Sequence, residues 1–210
     1  MLMIIACITM LIDHIGGHVL DIPAMRIIGR IAMPVYAYLM TGSFEHTHDK
    51  NAYLKRVLRI AIISQIPFML MVDAVKLNIC FTWFISLLVM LCLDNTKSKK
   101  TEKILMLLPL LLLSVLTPMD YGIFAVNWVI LFYVRSRMKG IRGNAVLIIG
   151  AVLNYFLYGV PMQFAGLSAI PIILLCEKYD LIRLKNKYAA QMYRIFYPVH
   201  MAAVDICKFI

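Results

Sequence analysis

Charge is scarce in this chain. Only 15% of its 210 residues are charged, and acid is scarcer than base, with 11 Asp and Glu against 21 Lys and Arg. With 62% hydrophobic residues and a mean hydropathy of +0.84, this balance excludes a soluble domain of such size. Most of the length is expected to lie within a bilayer. Other things are missing too. No CxxC or metal-ligand spacing links the five cysteines (Cys7, Cys80, Cys92, Cys176 and Cys207), which sit in or beside apolar stretches and read as small hydrophobes. No basic leader or small-residue cleavage site accompanies the first apolar stretch, which is expected to be a retained helix. No internal repeat, low-complexity tract or polar segment of domain size interrupts the rest, so residues 1–210 are expected to form one domain.

What is present is a series of apolar runs. Nine spans are predicted, at 2–20, 24–44, 56–73, 77–93, 103–117, 121–134, 144–160, 162–176 and 192–209. Some fall short of the usual ~20 residues, so tilted or broken spans are expected. The fold class is therefore all-α: a polytopic helical membrane protein of about nine transmembrane helices. Charge placement sets its orientation. Basic residues cluster after the second span (Lys50, Lys55, Arg56, Arg59), the fourth (Lys97, Lys99, Lys100, Lys103), the sixth (Arg135, Arg137, Lys139, Arg142) and the eighth (Lys178, Arg183, Lys185, Lys187, Arg194). Only Arg26, Arg30, Lys76 and Lys208 fall elsewhere. By the positive-inside rule the basic loops are cytoplasmic, the N-terminus is cytoplasmic and the C-terminus is outside. The net charge of +10 thus meets lipid headgroups and gives no reason to expect a nucleic-acid partner.

Within this apolar background, adjacent Asp13 and His14 stand out in the first span. Burying either costs several kcal/mol unless it is paired or wet, which makes the pair a functional-site candidate. Arg26 and Arg30, four apart at the start of the second span, reach a similar depth, so an Asp13–Arg26 or Asp13–Arg30 pair is expected. Neighbouring helical residues point about 100° apart, so Asp13 cannot orient His14 directly. His14 is then free to exchange a proton as a general base. The last span adds Tyr197, Pro198 and His200; the third adds Ser64, Gln65 and Pro67; the outer loops add Asn78 and Asp120-Tyr121-Gly122. Plainer readings compete: an Asp–Arg staple, and hydrogen-bonded core histidines. His14 and His18 have a metal-like i, i+4 spacing, but no third ligand is evident and no metal is expected. Glu45-His46-Thr47-His48-Asp49 reads as a solvated helix end with capping contacts.

These residues form motifs along the whole chain: Ile12-Asp13-His14-Ile15-Gly16, Arg26-Ile27-Ile28-Gly29-Arg30-Ile31-Ala32-Met33-Pro34, His46-Thr47, Ser64-Gln65-Ile66-Pro67-Phe68, Phe81-Thr82, Asp120-Tyr121-Gly122-Ile123 and Phe196-Tyr197-Pro198-Val199-His200. In their order and spacing the chain resembles the TraX family, membrane proteins named for an enzyme that acetylates the N-terminus of conjugative pilin. The first-span histidine is more distantly similar to that of the wider transmembrane acyltransferases. The chain departs from the family pattern at Met3, where a basic residue is usual, and at Gly42, Gln65 and Met69, where acidic residues are usual.

The resemblance implies an acetyltransferase in the bacterial cytoplasmic membrane, with cytosolic acetyl-CoA as donor. The acceptor is an amine or hydroxyl, on a pilin-like protein or a small molecule. It implies His14 as base and Arg30, Arg26 or Tyr197 as oxyanion stabiliser, with His200 assisting proton transfer and Asp13 completing the set. Arg26, Arg56, Arg59, Arg135 and Arg137 are the candidate coenzyme A ligands. Two other functions fit the residues alone. One is a small proton-coupled transporter using Asp13, His14 and His200, against which stands the lack of an inverted repeat. The other is a non-catalytic assembly factor of a conjugation or secretion apparatus.

Overall fold

The computed structural model describes residues 1–95, 99–138, 140–158, 160–182 and 187–209, with side chains for all of these except 187–193. Lys97, Lys139, Arg183 and Lys185 of the basic loops lie outside the described residues, as does the side chain of Lys187. The chain is all-α, as its composition predicts. Helices α1 (Leu2–His18), α2 (Pro23–Gly29), α3 (Ala32–His46), α4 (Lys50–Ile63), α5 (Gln65–Val72) and α6 (Ile79–Asp94) make up the first half. Helices α7 (Lys100–Leu116), α8 (Gly122–Arg137), α9 (Ile141–Tyr158), a 3-10 helix (Pro161–Ser168), α10 (Ala169–Lys178) and α11 (Lys187–Cys207) complete it.

Every expected apolar run is helical, but three of them are broken, each just before a proline. The second span divides into α2 and α3 ahead of Pro34, the third into α4 and α5 ahead of Pro67, and the eighth into the 3-10 helix and α10 ahead of Pro171. Proline lacks the N–H that would bond the carbonyl four residues earlier, and its ring crowds that carbonyl. The carbonyls released are those of Arg30, Ile63 and Leu167. Pro109 and Pro198 sit inside α7 and α11, which continue through them. By length and composition α9 alone, among the described residues, is long and apolar enough to cross a membrane as a single helix; α1 and α6 are shorter apolar helices.

The main core lies between α3, α6, α8 and α9. Trp128, Phe132, Phe124 and Tyr155 stack or meet edge to face within it, with ring centroids 5.1–6.2 Å apart. The interior is also polar: Thr9, Thr41, Ser64, Asn78, Thr82, Ser86, Ser114 and Asn154 are all buried. Most are tied to backbone; the Thr82 hydroxyl, for example, donates to the Asp120 carbonyl over 2.8 Å. Buried polar groups need such partners.

Successive apolar runs alternate in direction, and this sorts the charges. One end of the bundle collects the basic loops. There Lys50 and Arg137 both pair with Asp94, Arg135 forks onto Glu177, and the N-terminal amine donates to the Leu181 carbonyl. Asp49 caps α4 at this end by accepting from the Ala52 N–H, as the Glu45–Asp49 segment predicts. The opposite end holds Lys76 paired with Asp120 and Lys208 paired with Asp73.

Candidate active site

Helices α1 and α2 meet at glycines. A Cβ on Gly29 would lie 2.1 Å from the Cβ of Asp13, and one on Gly16 would lie 2.4 Å from that of Met25. Only glycine permits this approach. It brings Asp13 against the break between α2 and α3, where Arg30 turns back towards α1. Of the two arginines expected to pair with Asp13, Arg30 does so. Its Nε donates to the Arg26 carbonyl (3.1 Å), Nη1 to the Tyr121 hydroxyl (2.8 Å) and Nη2 to Asp13. Tyr121 reaches Arg30 from a left-handed turn (φ 59°), which Lys76, Thr82 and Leu77 fasten through Asp120. The pair ties α1, the α2–α3 break and the start of α8 together.

His14 does not share that node. Its Nδ1 lies 2.9 Å from Nε2 of His200 on α11, with the rings nearly parallel at 8°. His200 Nδ1 lies 2.8 Å from the Phe196 carbonyl. A carbonyl only accepts, so His200 carries its proton on Nδ1 and its Nε2 is a lone pair. His14 Nδ1–H donates to that lone pair, and the Nε2 of His14 is left unprotonated. The hydrogen bonds thus assign a tautomer that makes His14 a base. His200 is 4% exposed and stands behind His14, while His14 faces a cavity. The ring of His18 meets His14 edge-on at 6.1 Å. Among the described residues no group of three or more His, Cys, Asp or Glu is placed to hold a metal.

The cavity measures 1410 Å³ and runs the length of the bundle. Met33, Tyr36, Met40, Ser43 and His46 mark its course along one face of α3, about 20 Å at 1.5 Å per residue. At the basic end it is lined by Glu45, His46, Arg56, Arg135, Glu177 and Arg194; at the other by His18, Arg26, Ala74, Lys76 and Asp120. Exposed residues line it at both ends: Ser43, His46 and Arg194 at one, Ala74 at the other.

Besides His200, the expected site residues fall into three groups. Asp13, His14, Arg26, Arg30 and Tyr197 line the inner part and the far end of the cavity, with the Tyr197 ring 5.7 Å from His200. Arg56 and Arg135 line the basic end, but Arg135 is held by both oxygens of Glu177 (2.7 and 2.6 Å) and by Asn144. Arg59 and Arg137 do not line the cavity, and Arg137 pairs with Asp94. Sequence reasoning gave no site role to Arg194 or Gln163, and it placed Tyr121 only among the outer-loop polar groups. Arg194 was hidden among the loop charges. Gln163 lines the cavity with a buried Oε1 that has no hydrogen-bond partner; the only signal for it was one amide in the otherwise apolar segment Pro161–Leu167. The chain matches the family described as TraX protein over residues 1–208. No curated protein and no solved structure matches it.

Proposed function

From the premise that the chain belongs to the TraX family, we propose that it is a multi-pass membrane acetyltransferase, associated with conjugation, that uses acetyl-CoA. The observation that carries this reading is the Phe196 carbonyl–His200–His14 relay, which leaves a base facing a cavity about 20 Å long. The bundle's surface supports the membrane setting. In α7 the one buried residue is Ser114, while Leu105 and Leu116 are 75% and 76% exposed. A helix with its hydroxyl inside and its leucines outside suits lipid rather than water. The basic end is then cytoplasmic.

The cavity suits a long ligand with an anionic head and a reactive tail. Arg56 and Arg194 at the cytoplasmic end would hold the phosphates of coenzyme A, and its arm would reach His14 with the acetyl thioester. The acceptor amine or hydroxyl attacks the thioester carbonyl. His14 Nε2 takes the acceptor proton as the new C–N or C–O bond forms. The C–S bond breaks, and the proton passes to the coenzyme A thiolate. His200 stabilises the charged His14 through the hydrogen bond at Nδ1. Arg30 has donors left after its three bonds and can face the developing oxyanion.

The test is acetyl-CoA turnover by purified protein in detergent, wild type against His14→Gln. Turnover in the wild type and its loss in a folded His14→Gln variant is the expected result. Equal turnover in both would remove His14 as the base. A cavity lined by exposed residues at both ends is also what a small permease needs, and flux across proteoliposomes without any acetylated product would favour that function.

A further inference from the structure

Arg26 differs from every other cation at its end of the cavity. Arg30 is engaged by Asp13, Tyr121 and the Arg26 carbonyl; Lys76 is paired with Asp120; Lys208 is paired with Asp73 and Asp205. Among the described residues the Arg26 guanidinium makes no hydrogen bond and no ion pair, although it lines the cavity and is half-buried. Its place is prepared. The side chain lies across Gly17 of α1, where a Cβ would meet Arg26 Nε at 3.2 Å, Cδ at 3.5 Å and Cζ at 3.8 Å. A half-buried cation loses part of its hydration, and an anion that forks onto its donors offsets that loss. Asp13, the carboxylate on the facing helix, is already taken by Arg30.

We infer that Arg26 is the seat for an anionic oxyacid group, a phosphate or carboxylate, carried by the acetyl acceptor. This rests on the acetyltransferase reading for its word "acceptor" but not for the anion seat itself. Arg26 lies at the end of the cavity opposite Arg56 and Arg194, so donor and acceptor approach from different ends. Gly17 is three residues beyond His14, about 4.5 Å along α1 and on the same side. The anionic group therefore sits about one helical turn from the base. That distance selects an amine or hydroxyl separated from its oxyacid group by roughly three or four bonds. Amino phosphates have this shape, whether free in solution or as the headgroup of an aminophospholipid.

The test is calorimetric titration of the detergent-solubilised protein with O-phosphoethanolamine and with ethanolamine, in the absence of any donor. Wild type is expected to bind the phosphate compound about tenfold or more tightly than the plain amine, the worth of a charge-assisted hydrogen bond. In Arg26→Gln the two affinities should converge, and Arg26→Lys should keep part of the difference. Equal affinities in the wild type, or a preference that survives Arg26→Gln, would overturn the seat. A second arm assigns the source: displacement of O-phosphoethanolamine from protein in phosphatidylethanolamine nanodiscs, but not phosphatidylcholine nanodiscs, makes the ligand a lipid headgroup. Displacement in neither makes it a soluble amino phosphate. Preferential binding, with no acetyl transfer to either amine once acetyl-CoA is added, would leave the seat standing and count against the transferase reading.

Discussion

The Asp13–Arg30 pair and the two histidines sit side by side yet do different work. Asp13 and Arg30 have side chains only 13% and 11% exposed, so each depends on the other for its charge. Removing one partner of a buried pair strands the other, at a cost of about 3 kcal/mol or more. Asp13→Asn should therefore lower the melting temperature of the purified protein sharply, and Asp13→Leu with Arg30→Met should recover part of the loss. A staple behaves in this way; an unpaired catalytic carboxylate would lose activity without losing stability. His200 tests differently. His200→Phe keeps the ring and removes the acceptor for His14 Nδ1–H, so kcat should fall about a hundredfold with the KM for acetyl-CoA little changed. His200→Gln, whose amide oxygen can accept the same bond, should restore part of kcat. A parallel rise in KM would mean that His200 shapes the cavity instead. Asp13, His14, Arg30 and His200 were legible in the sequence because each is ionisable in an apolar run. Their pairing was only half legible. Helix periodicity excluded an Asp13–His14 bond, but nothing local told Arg26 from Arg30, since that choice is made by the break between α2 and α3. Gln163 and Arg194 were not legible as site residues, because an isolated amide and a loop arginine carry no spacing signal.

At the scale of elements, the helices followed from apolar runs and the breaks from prolines, although a proline alone does not say whether a helix stops or bends. Pro34, Pro67 and Pro171 stand in the first turn of a new helix, while Pro198 lies within α11. The broken span around Ser64 is held by Gln65, which donates to the Lys76 carbonyl (2.7 Å) and accepts from Asn78 (2.9 Å), while Asn78 reaches the Ala61 carbonyl (2.7 Å). Such side-chain closure is non-local and invisible to a reading of one segment at a time. Helix α3 offers a test of the cavity as the donor's path. Gly42 lines it, and a Cβ there would meet nothing within 4 Å. Leucine in a helix is favoured over glycine by roughly 0.5–1 kcal/mol, so Gly42→Leu should fold at least as well as the wild type while filling the passage. Acetyl-CoA binding should weaken about tenfold or more, the scale of a lost charge-assisted contact if the arm is blocked. Gly42→Ala, with the helix gain but a single methyl, should bind nearly normally. Unchanged affinity in a well-folded Gly42→Leu would place the donor elsewhere.

The whole molecule sorts its charges in a way that one experiment can read. Every described basic loop that follows an even-numbered span lies at one end of the bundle, and the sparse charges Lys76 and Lys208 lie at the other. If the chain crosses the membrane as proposed, the positive-inside rule makes the first end cytoplasmic, and an odd number of crossings puts the end of α11 outside. The ninth run decides that parity, and it is the one whose membrane role sequence alone supports least. Its segment Tyr197–Asp205 mixes a proline, a histidine and an acid, which lowers its apparent hydrophobicity although His200, Met201 and Val204 are buried. The cysteines supply a reporter without any substitution. Cys7, Cys80, Cys92 and Cys176 are buried, and Cys207 alone is exposed, beside Lys208 and Asp205 at the far end of the bundle. A membrane-impermeant maleimide added to intact spheroplasts should therefore label the protein once, at Cys207, and Cys207→Ser should abolish the signal. Labelling only after the membrane is opened would put the end of α11 in the cytoplasm. The crossing count would then be even, α11 would not traverse the bilayer, and His200 would approach His14 from a helix lying against the membrane rather than through it.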